Sequence, residues 1–262
     1  MTPRLVATDL DGTLLRSDGT LSDLTRDVLA DLDERGVPVV IVTGRPMRWL
    51  HDLLPVVGHH GLAVVSNGAA VYDVARGEAT DVRGIEPAVG LDLVERIRAE
   101  APGATFAVES VDGIAQDPDF LEPEPVRAGS LIAPPTDIWA TSGLKLLVRH
   151  PGLEGAALRA AVERAVGDLA TPTWSMDGLV EISAAGVTKA SALAALAERL
   201  GVAAADTVAF GDMPNDVPML RWAGTSYAVA NAHADALAAA DREAPANDDD
   251  GVAVVLGELF GL

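Results

Sequence analysis

The chain of 262 residues contains no cysteine, and this absence excludes several kinds of site at once. Disulfide bridges, thiolate nucleophiles, iron–sulfur clusters and cysteine-ligated zinc all need the thiol side chain. No apolar run approaches the ~20 residues of a membrane-spanning helix, because charged residues interrupt the alanine-rich stretches. Asp9 and Asp11 lie where a signal peptide needs an uninterrupted apolar stretch. We therefore expect a soluble, cytoplasmic protein with no membrane partner.

Basic residues are scarce as well. The chain has 19 Lys and Arg residues against 39 Asp and Glu residues, which gives a formal net charge of −20 at pH 7. This excess repels a phosphate backbone, so a nucleic-acid partner is not expected. The same excess also repels small phosphorylated molecules, unless positive charge at the binding site reverses the electrostatic potential locally. The run 248–250 of three aspartates is interpreted as background acidity that favours solubility.

Apolar residues make up 49% of the chain, enough for a substantial core. Short apolar strands alternate with helical stretches at both ends of the sequence, a rhythm typical of a doubly wound parallel sheet. Near residue 80 this rhythm changes to separated strands and two helices. We therefore predict a Rossmann-like α/β core formed by residues 1–82 and 184–262, with an inserted α+β domain at 83–183.

The helices are predicted from apolar periodicity and capping residues. One helix is expected over residues 22–35, with Ser22 as its N-cap and Leu24 on its buried face with Val28. Another is expected to open at Pro46.

Polar residues follow the predicted parallel strands at the edge where such sheets bind ligands. They are Asp9 and Asp11 after the first strand, Thr43 after the second, Ser66-Asn67 after the third and Asp212 after a late strand. Carboxylates and hydroxyls are the ligands that Mg²⁺ prefers, with substrate phosphate completing its coordination. The sequence therefore predicts a magnesium and phosphate site at this edge.

Asp9 and Asp11 are two residues apart, so in extended chain they project to the same side. Gly12 permits a tight turn after them. One carboxylate could attack phosphorus while the other protonates the leaving oxygen. The alternative is a pair of turn-forming aspartates that ends a strand.

Three further segments fit the same chemistry, and each has a structural alternative. Thr43 and Gly44 could donate to a phosphate oxygen, or simply form a strand-to-helix turn. Lys189 lies in the first turn of a predicted helix, where the dipole disfavours a cation unless an anion is near; otherwise it is a solvated surface lysine. The segment 211–216 carries two acids and Asn215, or only caps a helix.

In this order, the four segments resemble the motifs of haloacid dehalogenase superfamily phosphohydrolases, in particular the Cof-type branch, whose α/β cap is inserted between the second and third motifs. The resemblance covers nearly the full length. The motif-like segments are Asp9–Thr13, Val42–Arg45, Gly186–Lys189 and Gly211–Asp216, and similar segments occur at Val65–Ala69, Val229–Ala232 and Asn247–Val252.

The resemblance implies a Mg²⁺-dependent phosphatase for small phosphorylated metabolites, such as sugar phosphates, that forms an aspartyl-phosphate. It implies that Asp9 is the nucleophile and Asp11 the general acid and base. The implied Mg²⁺ ligands are the carboxylates of Asp9 and Asp212 and the backbone carbonyl of Asp11, with Asp216 bracing them. The implied phosphoryl-binding residues are Thr43, Gly44, Lys189 and Asn215.

The insert is implied to be a cap that selects the substrate. Its polar candidates are Glu109, Asp112, Lys145, Arg149, His150, Trp174, Asp177 and Glu181. A phosphomutase or phosphotransferase on sugar phosphates, and a catalytically idle binding module, are the alternatives. A cofactor-dependent dehydrogenase is disfavoured because G-x-G-x-x-G is absent after the first strand, where Asp9 and Asp11 lie instead. Dehalogenation is disfavoured because it needs neither a second acid nor Mg²⁺. We expect a monomer or a small homo-oligomer.

Overall fold

The computed structural model describes residues 2–49, 60–74, 76–120, 131–133, 137, 139 and 142–262. The chain forms two compact units. The first, here named the core unit, comprises Met1–Thr80 and Thr188–Leu262, and the second, the insert unit, comprises Asp81–Val187. The boundaries expected from the sequence, 82/83 and 183/184, differ from these by a few residues.

Strands and helices are numbered in chain order through both units. The strands are β1 Leu5–Thr8, β2 Val39–Val42, β3 Leu62–Val65, β4 Ala70–Asp73, β5 Glu78–Thr80, β6 Thr105–Ser110, β7 Gly113–Gln116, β8 Leu131–Ile132, β9 Lys145–Arg149, β10 Ala170–Thr173, β11 Val180–Ala184, β12 Thr207–Gly211, β13 Thr225–Val229 and β14 Arg242–Ala244. The α-helices are α1 Asp23–Glu34, α2 Pro87–Glu100, α3 Gly155–Val166, α4 Lys189–Arg199, α5 Val217–Trp222, α6 Ala234–Ala239 and α7 Gly251–Phe260.

The core unit is built on one sheet with the strand order β14-β13-β12-β1-β2-β3-β4-β5. Strands β14 to β3 in this order are parallel, whereas β4 and β5 continue the sheet as an antiparallel meander. Strand β1 is central, with Ala7 opposite Ala209 on one side and Val40 on the other. All of Leu5–Thr8 is buried, which explains its apolar run without polar alternation. The predicted α/β parallel-sheet fold is confirmed.

Helix α1 begins as predicted, because the Ser22 side chain accepts a hydrogen bond from the Thr25 amide. The expected position of Leu24 on its buried face is wrong, since Leu24 is 48% exposed. The buried stripe runs instead from Thr25 through Val28 to Leu32, with the three- and four-residue spacing of a helix face. After Pro46 the structure describes a short 3-10 helix over Met47–Trp49. The remainder of the helix expected to open at Pro46 falls on residues 50–59, which lie outside the described residues.

The insert unit has a second sheet, in the order β10-β11-β9-β6-β7-β8, which is antiparallel except for the pairing of β7 with β8. Helices α2 and α3 cover one of its faces. Their apolar residues, Leu93 and Val162 among them, form a core with Phe106 and Val148 of the sheet. In the described part of the chain, no helix is both long and apolar enough to cross a membrane.

The strand order determines where the candidate site lies in the core unit. Asp9, Thr43, Ser66 and Asp212 follow β1, β2, β3 and β12 directly. Because these four strands are parallel neighbours, their carboxyl ends meet at one edge of the sheet.

Candidate active site

The segment after β1 is a single wide turn that packs against the late strand β12. Asp9 follows the strand, and its amide donates to the Phe210 carbonyl at 3.0 Å. A hydrogen bond from the Leu15 backbone N–H to the Leu10 carbonyl closes the turn. Gly12 adopts φ +75°, and a Cβ at this position would overlap the Asp212 carboxylate. Glycine is therefore required here for both its backbone conformation and its lack of a side chain.

Lys189 is the one positively charged residue among the predicted catalytic, metal-binding and phosphoryl-binding residues, and it is 1% exposed. It lies at the start of α4, where Thr188 and Ser191 cap the helix. Its Nζ atom donates to Asp9 Oδ1 at 2.6 Å and to Asp216 Oδ1 at 2.7 Å. The two carboxylates explain a cation in the first turn of a helix. The alternative of a solvated surface lysine is wrong.

Asp9, Asp212 and Asp216 form a buried carboxylate cluster, with one oxygen of each within 4.8 Å of the others. Burial raises the pKa of Asp9 well above its ordinary value, and the Lys189 charge offsets only part of this effect. Burial, followed by the charge of Asp216, raises the pKa of Asp212 to about 6. Desolvation would lower the pKa of Lys189, but the charges of Asp216 and Asp9 outweigh it and raise that pKa.

The Asp216 carboxylate is fully engaged by protein groups. Its Oδ1 accepts from Lys189, and its Oδ2 accepts from the backbone amides of Asp212 and Met213 at 3.1 and 3.0 Å. A Cβ on Gly211 would lie only 2.5 Å from the Asp216 Cβ. Asp216 thus stabilises the segment that presents Asp212.

The cluster has the donor set of a divalent cation site. Three buried carboxyl groups share one lysine, so the cluster has two more acidic groups than basic ones in a place with little solvent screening. A divalent cation would balance the charge of the fully ionised cluster. The Asp212 carboxylate is oriented by Thr13, whose hydroxyl donates to Asp212 Oδ1 at 3.0 Å. Hard oxygen ligands oriented by hydrogen bonds suit Mg²⁺. The residues therefore fit the ion that the sequence predicted.

The Asp11 side chain lies apart from this cluster, although Asp9 and Asp11 were expected to project to the same side. Asp11 is half exposed and forms a two-pronged ion pair with Arg45, whose Nε donates to Asp11 Oδ2 at 2.7 Å. The chain leaves its extended conformation at Leu10, between the two aspartates, so the alternation of an extended chain is lost, and Arg45 holds the exposed Asp11 carboxylate. Arg45 was not among the predicted site residues, although it directly follows Thr43-Gly44.

The predicted phosphoryl-binding residues Thr43, Gly44 and Asn215 converge on one buried asparagine. Asn215 Nδ2 donates to Asn67 Oδ1 at 3.1 Å. A Cβ on Gly44 would lie 3.1 Å from the same oxygen. Thr43 is buried, and its hydroxyl accepts from the Arg45 amide at 3.0 Å. Asn67 follows the third strand as predicted, but no role was predicted for it from the sequence.

Two asparagines attach the turn after Asp9 to the C-terminal part of the core unit. Asn231 Nδ2 donates to the Gly12 carbonyl at 2.8 Å, and Asn231 Oδ1 accepts from the backbone N–H of Asn247 at 2.9 Å. The Asn247 side chain donates to the Leu15 carbonyl at 2.9 Å. We name Asn231 and Asn247 the asparagine clamp. Both lie in segments that resembled those of the Cof-type branch.

The acidic run 248–250 supports the same turn. Asp250 accepts two hydrogen bonds from Arg16, at 3.0 and 2.6 Å. Asp248 accepts from the amide and the hydroxyl of Ser17 at 2.8 and 2.7 Å. The interpretation of this run as background acidity is therefore wrong for these two residues, because each has a specific partner distant in sequence.

The insert unit has its own buried ionic cluster. Lys145 Nζ lies 2.6 Å from Glu181 Oε1 and 3.3 Å from Glu109 Oε2. Glu181 also accepts from the Ser175 hydroxyl at 3.0 Å. The three charged residues belong to neighbouring strands β6, β9 and β11. They are three of the polar candidates that the sequence indicated for the insert.

Comparison with known proteins agrees with this geometry. The haloacid dehalogenase-like hydrolase family profile matches residues 6–256. An HMP-PP phosphatase of Enterobacter sp. (strain 638) is 30% identical over 239 residues, which cover 87% of this chain and 85% of that protein. The 5-amino-6-(5-phospho-D-ribitylamino)uracil phosphatase YcsE of Bacillus subtilis (strain 168) is 28% identical, over 95% of this chain and 93% of its own length.

A solved structure supports the fold over its full extent. SMU.1108c from Streptococcus mutans UA159 superposes with a TM-score of 0.86 at 24% identity and covers 100% of both chains. The resemblance seen in the sequence motifs is confirmed. This chain belongs to the family of haloacid dehalogenase-like hydrolases.

Proposed function

We propose that the chain is a Mg²⁺-dependent phosphatase that hydrolyses small phosphorylated metabolites through a phosphoryl intermediate on Asp9. The observation that carries this proposal is the buried Asp9 carboxylate, held by Lys189 beside Asp212 and Asp216. A fixed cation next to a nucleophilic oxygen suits phosphoryl transfer, because charge spreads over the phosphoryl oxygens in the transition state. The phosphatases among the relatives support the same class of reaction.

The carboxylate cluster is the proposed metal site. Asp9 and Asp212, with the backbone carbonyl of Asp11, would hold Mg²⁺, and Asp216 would keep them in position. Mg²⁺ bound there would supply positive charge that neutralises and polarises the phosphoryl oxygens. Lys189 would remain the permanent cation of the site.

In the first half of the reaction, an Asp9 carboxylate oxygen attacks phosphorus and the bond from phosphorus to the ester oxygen breaks. Asp11 donates a proton to the departing alcohol. Arg45 holds the Asp11 carboxylate in this structure, so it must release Asp11 before that residue can carry the proton. We expect the pair to open when the ester binds.

In the second half, Asp11 removes a proton from water, whose oxygen attacks phosphorus. The bond between phosphorus and Asp9 breaks, inorganic phosphate leaves and the Asp9 carboxylate is restored. Thr43, Gly44, Lys189 and Asn215 would hold the phosphoryl oxygens through both steps. Side chains and amides that are already oriented need no rearrangement as charge develops.

The insert, predicted as a cap at 83–183, is proposed to select the leaving group. The relatives act on HMP-PP and on 5-amino-6-(5-phospho-D-ribitylamino)uracil. Both names describe small phosphorylated compounds, so such compounds and sugar phosphates are the first substrates to test.

The test is phosphate release by the pure protein with Mg²⁺, measured first with p-nitrophenyl phosphate and then with a metabolite panel. Asp9→Asn is expected to abolish release while circular dichroism shows an intact fold, because an amide cannot act as the nucleophile. Asp23→Asn, on the exposed start of α1, is the matched control and should retain activity.

The outcomes separate the competing functions. Metal-dependent turnover by Asp9→Asn at the wild-type rate would refute the mechanism. Transfer of the phosphoryl group to a sugar, without free phosphate, would indicate a phosphotransferase. No release from sugar, nucleotide or vitamin phosphates would favour a binding module without catalytic activity.

A further inference from the structure

The turn Ser66–Gly68 has an unusual backbone. Ser66, Asn67 and Gly68 have successive φ angles of 50°, 58° and 100°, although only the last is a glycine. Left-handed backbone is unfavourable for residues with a Cβ, and asparagine tolerates it better than most. All three residues are buried. Strained, buried turns of this kind are common at binding sites, where the surrounding structure holds them in place.

The turn contacts every segment that supplies a proposed phosphoryl-binding residue. The backbone N–H of Asn67 donates to the Thr43 carbonyl at 3.1 Å. The Asn67 side chain lies close to Gly44 and accepts a hydrogen bond from the Asn215 side chain. A Cβ on Gly68 would overlap the carbonyl of Thr188, the residue before Lys189. Asn67 is therefore at the centre of the proposed phosphoryl site.

The two paired amides each leave one polar atom without a partner. Asn67 is 2% exposed, and its Nδ2 has no hydrogen-bond acceptor within the described residues. Asn215 Oδ1 likewise has no donor there. Buried polar atoms without partners are destabilising, and at functional sites they commonly await a ligand. The unused donor of Asn67 matches the acceptor oxygens of a phosphoryl group.

We propose that Asn67 binds the substrate directly, its Nδ2 donating to a non-bridging phosphoryl oxygen while its Oδ1 holds the Asn215 amide. This proposal rests on the phosphatase function proposed above. Because the donor is neutral, Asn67 adds affinity for the phosphoryl group without changing the charge of the carboxylate cluster.

Two variants test the proposal, Asn67→Asp and Asn67→Gly. Aspartate tolerates the left-handed backbone and keeps an acceptor for Asn215, but it has no donor and repels phosphate. Glycine suits the backbone and removes the side chain. A residue needed only for the turn would be replaced by glycine without loss of activity.

The measurements are kcat and KM for p-nitrophenyl phosphate, and the affinity for inorganic phosphate by calorimetry with Mg²⁺. We expect kcat/KM to fall about tenfold for Asn67→Gly and about a hundredfold for Asn67→Asp, the range for a lost hydrogen bond to a charged group. Phosphate affinity should fall in the same order, while the melting temperature of Asn67→Gly stays within a few degrees of wild type.

If Asn67→Asp has the same kcat/KM and the same phosphate affinity as the wild-type protein, the proposed role of Asn67 is wrong. Phosphate release by the wild-type protein would in that case still support the proposed function. If the wild-type protein releases no phosphate, the proposed function fails. The calorimetric comparison then decides the role of Asn67 separately: equal phosphate affinity in wild type and Asn67→Asp overturns it, and weaker affinity in the variant supports it.

Discussion

Replacing Lys189 with methionine removes the cation from the carboxylate cluster while keeping a side chain of similar length and volume. Because the cavity effect is small, the change isolates the electrostatic contribution of Lys189. Its Nζ contacts Asp9 at 2.6 Å and Asp216 at 2.7 Å, and the side chain is almost completely buried. In the variant, three buried carboxylates lie together without this lysine.

Removing one partner of a buried ion pair lowers the free energy of unfolding by about 3–5 kcal/mol. Whole domains are stable by only about 5–15 kcal/mol, so Lys189→Met should destabilise the core unit severely in EDTA at pH 7. Mg²⁺ should restore part of this loss, because an ion that binds only the native state stabilises it by mass action. Urea unfolding in EDTA and in Mg²⁺, with hydrogen exchange read separately for each unit, measures both effects.

Lys145→Met is the matched control. Lys145 is also buried between two carboxylates, those of Glu109 and Glu181, but in the insert unit. The Lys145→Met substitution should destabilise the insert unit by a similar amount, but Mg²⁺ should not restore the lost stability. Equal recovery of both variants by Mg²⁺, or unchanged stability of Lys189→Met in EDTA, would refute this account of the cluster.

Two further predictions concern pH and the asparagine clamp. Since the pKa of Asp212 is raised from 3.8 to about 6, the native state holds a proton that the unfolded chain has released. The free energy of unfolding in EDTA should therefore fall as pH rises from about 4 to 6. The raised pKa of Asp9 acts in the same direction, and urea midpoints that rise over this range would contradict the prediction. Asn247→Ala should lower the free energy of unfolding by about 1–3 kcal/mol and reduce kcat more than KM, because the turn after Asp9 loses its attachment; steady-state kinetics showing an effect confined to KM would exclude that role.

Much of the fold follows from local sequence features. The unbroken apolar runs of β1, β2 and β3 require burial on both faces, and parallel strands then bring Asp9, Thr43 and Asp212 to one edge. The position of Lys189 at a helix start is unfavourable without nearby anions, which indicated an anion beside it but left a solvated surface lysine as the alternative. These inferences succeed because each depends on a rule that acts over a few residues.

Other features depend on partners distant in the chain. The ion pair of Asp11 with Arg45 and the contact of Asn67 with Asn215 are set by how separate segments pack. Strand β14 is short, and it forms because the exposed edge of β13 provides hydrogen-bonding partners. Even a local rule fails at the level of single residues. Leu24 is exposed while its neighbour Thr25 is buried, because a shift of one residue along a helix moves a side chain off the buried stripe.

The pairing of β1 with β12 has a consequence for the order in which the protein folds. Leu5 lies opposite Thr207, so β1 leaves the ribosome long before the strand that completes one of its edges. The contiguous insert unit can bury its own core first, whereas the core unit must wait for its C-terminal segment. Until Lys189 is synthesised, the Asp9 carboxylate lacks the cation that holds it in the folded protein, so a nascent or truncated chain carries the proposed nucleophile without its site. Catalytic competence is acquired only in the last stage of synthesis.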